Sequence, residues 1–403
     1  MRATDLQGIV TATITVNSAV DTIMSDLSGA FAALGVSMRT VLDAAPLYAN
    51  PGLLPALAVS LCREGLPAFL VTCNAKVRVV AGQERGRDVT VHEAFDMPMV
   101  AFMVDHPATH LAHLLRAPEN TIITVIDEGH LAFLEQAGLA PRSRLFCPHG
   151  GPEPVPNPRT TRERGIELLF SGNVGDPGPE AAWLDRASGG RSELRAILAE
   201  ALDAVRDEQR DPYLAIVEAS ARRGAETTPL AAAKHVADLD AYAMMSRRFQ
   251  VLRAITGHRV TVLGEVSGTN ALDHHTLLGT ASFARARSRM ADAKLLINSR
   301  STFARGGHER IFYGLSRGAV VVTEPSAFLR QDLETGLGMV ALPADPAATD
   351  DLLSDLLARP ERLDALRERG LAGYAQRHGW RERAERILGA LAAHAASKQD
   401  GRP

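Results

Sequence analysis

The chain has 403 residues, 46% hydrophobic and 23% charged, with a formal net charge of −3. That length holds two or three ordinary domains with sizeable cores, and the near-neutral balance excludes a global basic field for gathering nucleic acid. No run approaches the roughly 18 consecutive apolar residues of a membrane span. The start, MRATDLQGIVTATITV, lacks the basic beginning and continuous apolar core of a secretory signal. Cys62, Cys73 and Cys147 show no C-x-x-C spacing, which suits reduced, buried thiols in a cytoplasmic protein and argues against a zinc site.

Taken in order, residues 8–16 are alternating and β-branched, as a first strand should be. An amphipathic helix is expected over 18–34, with Ser18 able to cap it. No G-x-G-x-x-G follows that strand, so a dinucleotide fingerprint is absent. Further strands are expected at 37–42, 68–73, 99–104, 121–126 and 144–147, with helices at 52–63, 108–116 and 128–136. This alternation predicts a doubly wound α/β domain over 1–155.

Four prolines fall between Pro152 and Pro158, where neither a helix nor a central strand can continue, so the linker is placed there and a hinge is expected over 152–165. The second domain, 156–403, opens on a strand at 166–170 that runs into SGNVGD. Small residues such as Gly172 and the neighbouring Asn173 would let backbone N–H groups approach a phosphate, though from the residues alone a plain tight turn is the better reading. Residues 178–258 are rich in Ala, Arg, Glu and Leu with helical periodicity, and predict a helical insertion. Asp238 and Asp240 fall inside it and form no metal-binding D-x-D. A strand at 259–266 follows. His274 and His275 are adjacent, do not face one way, and read as loop histidines, not a metal pair.

The most informative stretch is KLLINSRSTFARGGHERIFYGLSRGAVVVTEP, residues 294–325. It predicts a buried strand at 294–298, a loop rich in Arg and Gly, a helix over 307–317 and a second strand at 319–323. Such a βαβ unit has parallel strands, and ligands of parallel sheets sit at the strands' carboxyl ends. Asn298 and Glu324 end the two strands, while His308, Glu309 and Arg310 open the helix. A helix N-terminus beside arginine suits phosphate. In the first domain the strand at 99–104 delivers Asp105, His106 and Pro107 in the same way. That carboxylate and imidazole could supply a general base, or Asp105 could merely cap the next helix. Asp127, Glu128 and His130 end the following strand, and His149 ends the last one.

Four pieces, ADAKLLINSR, HERIFYGLSRGAVVVTEPSAF, GLGMVALPADP and RHGWRERAERIL, follow one another with a spacing that resembles the carboxyl-terminal domain of CgeB-like glycosyltransferases of the GT-B fold. The resemblance implies two Rossmann-like domains facing across a cleft, with C-terminal helices packing back toward the first. It implies a glycosyltransferase moving a sugar from a nucleotide-sugar donor to an acceptor glycan, protein or small molecule. The first domain would serve the acceptor and the second the donor.

On that reading Gly172, Asn173, Asn298, Arg300, Arg305, His308, Glu309, Arg310 and Glu324 would line the donor site, and a D-x-P similar to the one at Asp105 favours Asp105 and His106 as the catalytic pair. Arg300, Arg305 and Arg310 would offset the diphosphate's charge without a metal or other cofactor. One departure is visible. The family usually keeps a glutamate where this chain has Tyr313, and Arg305 stands eight positions earlier, where many retaining GT-B enzymes carry another. A catalytically silent nucleotide- or partner-binding module and a nucleotide-sugar epimerase remain the alternatives.

Overall fold

The structure, a computed structural model, describes residues 6–11, 18–41, 52–63, 68–76, 80–139, 142–207, 209–299 and 303–399. The chain divides into two compact units, Met1–His149 with Trp380–Pro403, and Gly150–Gly379.

The first unit carries β1 (Gln7–Thr11), β2 (Ser37–Val41), β3 (Ala68–Cys73), β4 (Val80–Glu84), β5 (Arg87–Thr90), β6 (Met99–Phe102), β7 (Thr121–Val125) and β8 (Ser143–Phe146). Six of these form a parallel sheet in the order β2-β1-β3-β6-β7-β8. The central strands bury every residue from Met99 to Phe102 and from Thr121 to Val125, as sheets covered on both faces do. β4 and β5 form a separate antiparallel hairpin that hydrophobic patterning gives little sign of, because all its residues but one are exposed or half-buried. The later part of the first-strand expectation, 12–16, lies outside the described residues.

The second unit carries β9 (Ile166–Ser171), β10 (Val174–Gly175), β11 (Val260–Leu263), β12 (Val266–Ser267), β13 (Thr276–Leu277), β14 (Ala293–Asn298), β15 (Val320–Thr323) and β16 (Met339–Ala341). Its parallel sheet runs β13-β11-β9-β14-β15-β16. Strand order therefore reverses between β9 and β14, the switch point where doubly wound sheets open a crevice. The expected helical insertion forms four helices between Glu180 and Ala254. The last of them, Pro229–Ala254, buries Phe249 and Leu252 in one cluster with Phe170, Ile297, Val322 and Leu353. Each such side chain contributes about 1.5–3 kcal/mol on burial. His274 and His275 contact carbonyls of Ile255 and Leu252, so they tie the end of that helix to its strand.

Two expectations about the junction change. The proline-rich segment is held on the second unit: Val155 N–H donates to the Ser316 carbonyl at 3.0 Å and Tyr374 Oη to the Pro152 carbonyl at 2.7 Å. Pairing of the extended backbone removes the freedom a hinge at 152–165 needs, and the division falls instead after His149. The final helix, Trp380–Gln399, falls by sequence order within the second domain expected at 156–403, but it belongs to the first unit. It packs against the helix Ser18–Ala33. Phe102 meets Trp380 at a ring distance of 5.9 Å, and the fully buried Arg383 donates Nε to the Pro148 carbonyl at 2.8 Å. This is the return of C-terminal helix to the first domain that the resemblance implied. Among the described residues no helix is long and apolar enough to cross a membrane.

Candidate functional site

Loops of the second unit meet at the switch point. Gly172 leaves β9 with φ of 154°, in the region that favours glycine. A Cβ there would stand 2.9 Å from Nη1 of Arg310, and a Cβ on Gly264 would stand 2.2 Å from the Gly172 carbonyl oxygen. The two glycines thus let the loops after β9 and β11 pack back to back, and leave room for a guanidinium on their far side.

That guanidinium belongs to the second residue of the helix Glu309–Ser316. Arg310 is only 5% exposed, lies 5.6 Å from the centre of the Phe170 ring, and donates Nη2 to Nε2 of His308 at 3.0 Å. Its Nε and Nη1 have no hydrogen-bond partner among the described residues. Burial lowers its pKa, and Glu309 opposes the shift. Buried N–H groups of a cation are costly to leave unpaired, so the arrangement calls for an anion.

His308 stands at the N-cap position of the helix, and its Nδ1 lies 2.5 Å from Oε2 of Glu309. Burial and the charge of Arg310 push its pKa down to about 4, against the pull of Glu309. The ring is therefore neutral at pH 7. With the proton on Nδ1 facing Glu309, the Nε2 lone pair accepts from Arg310.

A second buried cation enters from the insertion. Arg248 is 6% exposed, donates Nη1 to the Asn173 carbonyl at 3.0 Å, and has an Nε without a hydrogen-bond partner among the described residues. Burial first, then Arg310, lowers its pKa to about 9, so it stays charged at neutrality. Asn173 in turn accepts the Glu265 N–H on Oδ1 at 3.0 Å, which fixes its loop. Asn298 donates to Thr323 Oγ1 at 2.9 Å and leaves its own Oδ1 buried and without a hydrogen-bond partner among the described residues.

Of the nine residues expected at a donor site, the structure gathers Gly172, Asn173, His308, Glu309 and Arg310. Asn298 ends the adjoining β14. Glu324 is nearly buried and engaged by Arg247, whose Nε donates to Oε1 at 2.7 Å. Arg305 is exposed, and Arg300 lies outside the described residues. Tyr313 is wholly buried with its ring 4.9 Å from that of Phe283, so its position contributes to the core. Sequence reading missed Arg247 and Arg248. The available sign was Arg248 lying four residues before Leu252, a charge on the helix's apolar face.

In the first unit the expected pair of Asp105 with His106 is not formed. His106 is buried, accepts the Ala108 N–H on Nδ1 at 3.0 Å, and packs against His130 at a ring distance of 4.3 Å. Asp105 instead accepts on Oδ2 from Asn74 at 2.9 Å and contacts His110 Nε2 at 3.1 Å. The turn beginning at Pro107 brings His110 round to the carboxylate, which adjacency in sequence hides. Desolvation by the surrounding protein pushes the Asp105 pKa up although its side chain is 56% exposed, but the His110 and Asn74 contacts outweigh it and leave it below the usual carboxylate value. Asp127 accepts the Gly129 N–H at 2.7 Å, and the His149 carbonyl accepts from Arg383. Burial raises the Cys73 thiol to about 12 and the Cys147 thiol to about 11, so neither is a nucleophile.

Residues 246–389 match the family model described as glycosyl transferase-like. The match covers Arg247, Arg248, the loop after β14, and the helix bearing Arg310. No curated protein matches the chain. Among solved structures, sucrose-phosphate synthase from Thermosynechococcus elongatus is 13% identical, with a TM-score of 0.47, over 97% of this chain and 100% of that one. The Anabaena protein HepE, solved with UDP and glucose, is 9% identical, with a TM-score of 0.44, over 95% and 99%. Both are distant likenesses of the whole chain.

Proposed function

We propose that the second unit binds the diphosphate of a nucleotide sugar and that the protein is a glycosyltransferase. The observation that carries this is Arg310, a buried guanidinium with two unengaged nitrogens beside Gly172 and a second buried arginine, Arg248. The glycosyl transferase-like match of this same stretch supports it. The solved structure with UDP and glucose is consistent in ligand class with the proposal, while its likeness concerns the chain course alone.

In the proposed reaction the bond between the anomeric carbon and the diphosphate oxygen breaks, and the acceptor oxygen bonds to that carbon. The acceptor proton passes to a base, and the diphosphate leaves with the added negative charge. Fixed guanidiniums placed where that charge grows lower the barrier because they need no reorganisation. Arg310 and Arg248 are assigned this task, so transfer is proposed to need no divalent metal. Asp105, with His110 in contact, is the proposed base of the first unit, in place of the pair with His106.

Titration calorimetry with UDP, GDP and dTDP and their hexose conjugates, with and without EDTA, tests the reading. Submillimolar binding of at least one pair, insensitive to EDTA, is expected, followed by slow release of the nucleoside diphosphate from the conjugate. Absence of binding across the panel would overturn it. The buried Tyr313, in the place where the resembling family keeps a glutamate, favours a second reading: a module that binds the nucleotide without turnover. Binding with no nucleoside diphosphate formed from the conjugate over days would select that reading.

A further inference from the structure

Beside the arginine site the second unit holds a larger cavity of about 590 Å³, walled by the helical insertion on one side and by the residues after β15 and β16 on the other. Its size is that of a small-molecule pocket. We infer that this cavity receives the glycosyl moiety of the donor, so that the insertion selects the sugar; this rests on the reading of Arg310 as the diphosphate site.

Charge separates the two sites. At the switch point two guanidiniums, Arg248 and Arg310, face one carboxylate in contact, Glu309, with Asp240 a weaker influence on Arg248 and His308 neutral. The cavity balances two guanidiniums, Arg206 and Arg247, with two carboxylates, Asp207 and Glu324. A net cationic site selects phosphate, whereas a balanced one offers no advantage to an ion. What it does offer is donors and acceptors side by side, together with the amide of Gln250 and the apolar faces of Pro325 and Pro343. Vicinal hydroxyls on a ring with apolar C–H faces match that lining, since each hydroxyl both donates and accepts.

Position joins the sites. Glu324 lines the cavity and also a small space reached by Asn298 and His308, the partner of Arg310. Arg247 and Arg248, consecutive in one helix, reach respectively toward the cavity's carboxylate and the loop of the phosphate site. A diphosphate on Arg310 and a sugar in the cavity would therefore be covered by the same helix.

The test compares each nucleoside diphosphate with its hexose conjugate on the full chain by calorimetry, using Gln250→Leu and Ala344→Trp. Both positions are exposed, so folding is expected to survive, and melting curves check it. The Trp side chain would occupy the cavity mouth. The expected result is a loss of at least tenfold in affinity for the conjugate with the bare diphosphate unchanged within threefold. If both variants keep conjugate and diphosphate affinities as in the parent, the cavity does not hold the sugar and this inference falls alone. If the parent binds no diphosphate at all, the reading of Arg310 fails first and the inference falls with it.

Discussion

Arg247 and Arg248 stand next to each other in the helix Pro229–Ala254, yet their guanidiniums serve different loops: Arg247 Nε donates to Glu324 Oε1 at 2.7 Å and Arg248 Nη1 to the Asn173 carbonyl at 3.0 Å. Consecutive helical residues point about 100° apart, so one turn of the insertion touches both the end of β15 and the loop after β9. The insertion is thereby part of the candidate site.

Arg310→Ala is expected to weaken nucleoside diphosphate binding by about 1.5–3 kcal/mol, the range for charged hydrogen bonds. Arg310→Lys should recover only part of this, because an ammonium lacks the planar fork. Calorimetry giving parental affinity for both would remove Arg310 from the site.

Arg248→Met keeps length and apolar stem while deleting a buried charge. Melting temperature should hold or rise, since an isolated buried cation is costly, while diphosphate affinity should fall at least tenfold. A clearly lower melting point with unchanged affinity would make Arg248 a strut for the Asn173 loop instead.

Gly172→Ala would put a methyl against Nη1 of Arg310 and force φ of 154° on a residue with a side chain. An affinity loss of tenfold or more is expected, with a stability cost of about 1 kcal/mol or more. Spectra showing the fold intact and binding unchanged would contradict the close approach of Arg310.

Asp105→Asn should lower turnover by about 10²–10⁴, the usual span for a general base, and leave donor affinity within about threefold. His110→Ala should lower turnover less, because it removes a partner of the carboxylate, while His106→Ala should act mainly on stability. Equal turnover in Asp105→Asn and the parent, corrected for folded protein, would move the base elsewhere.

His308 gives a pH test. Its folded pKa of about 4 lies below the ordinary value of 6.5, so the unfolded chain binds more protons between those two values. Stability from this residue is complete above about pH 6.5 and falls as pH drops toward about 4, by on the order of 1–3 kcal/mol. Trp183 reports the second unit once Trp380 is replaced by Phe. Urea titrations of that protein should show the loss, and His308→Asn, which can still cap the helix, should flatten it. An unchanged slope would mean that the imidazole is not held neutral.

Much of the fold was legible because the central strands are continuous apolar runs, such as Ala293–Asn298 and Val320–Thr323, bounded by strong turn residues. The helix carrying Arg310 was legible from the glycines before it and the apolar face of Ile311, Phe312 and Leu315. The hairpin of β4 and β5 was not, since an exposed antiparallel pair buries too little to leave a pattern. Arg248 was hidden for a different reason: its contact with Asn173 spans 75 residues of chain, and no local period encodes such a meeting. His110 shows the opposite error, where the neighbour in sequence, His106, drew attention from the neighbour in space.

Because Trp380–Gln399 closes the first unit, that unit is the last to be completed as the ribosome works from one end of the chain to the other. The stretch Gly150–Gly379 has all its strands long before Arg383 can reach the carbonyls of Pro148 and His149. The nascent first unit must therefore wait with an uncovered face along the helix Ser18–Ala33 while some 230 later residues are made. A chain released after Gly379 is expected to keep a protected second sheet and a first unit that exchanges its amide hydrogens quickly.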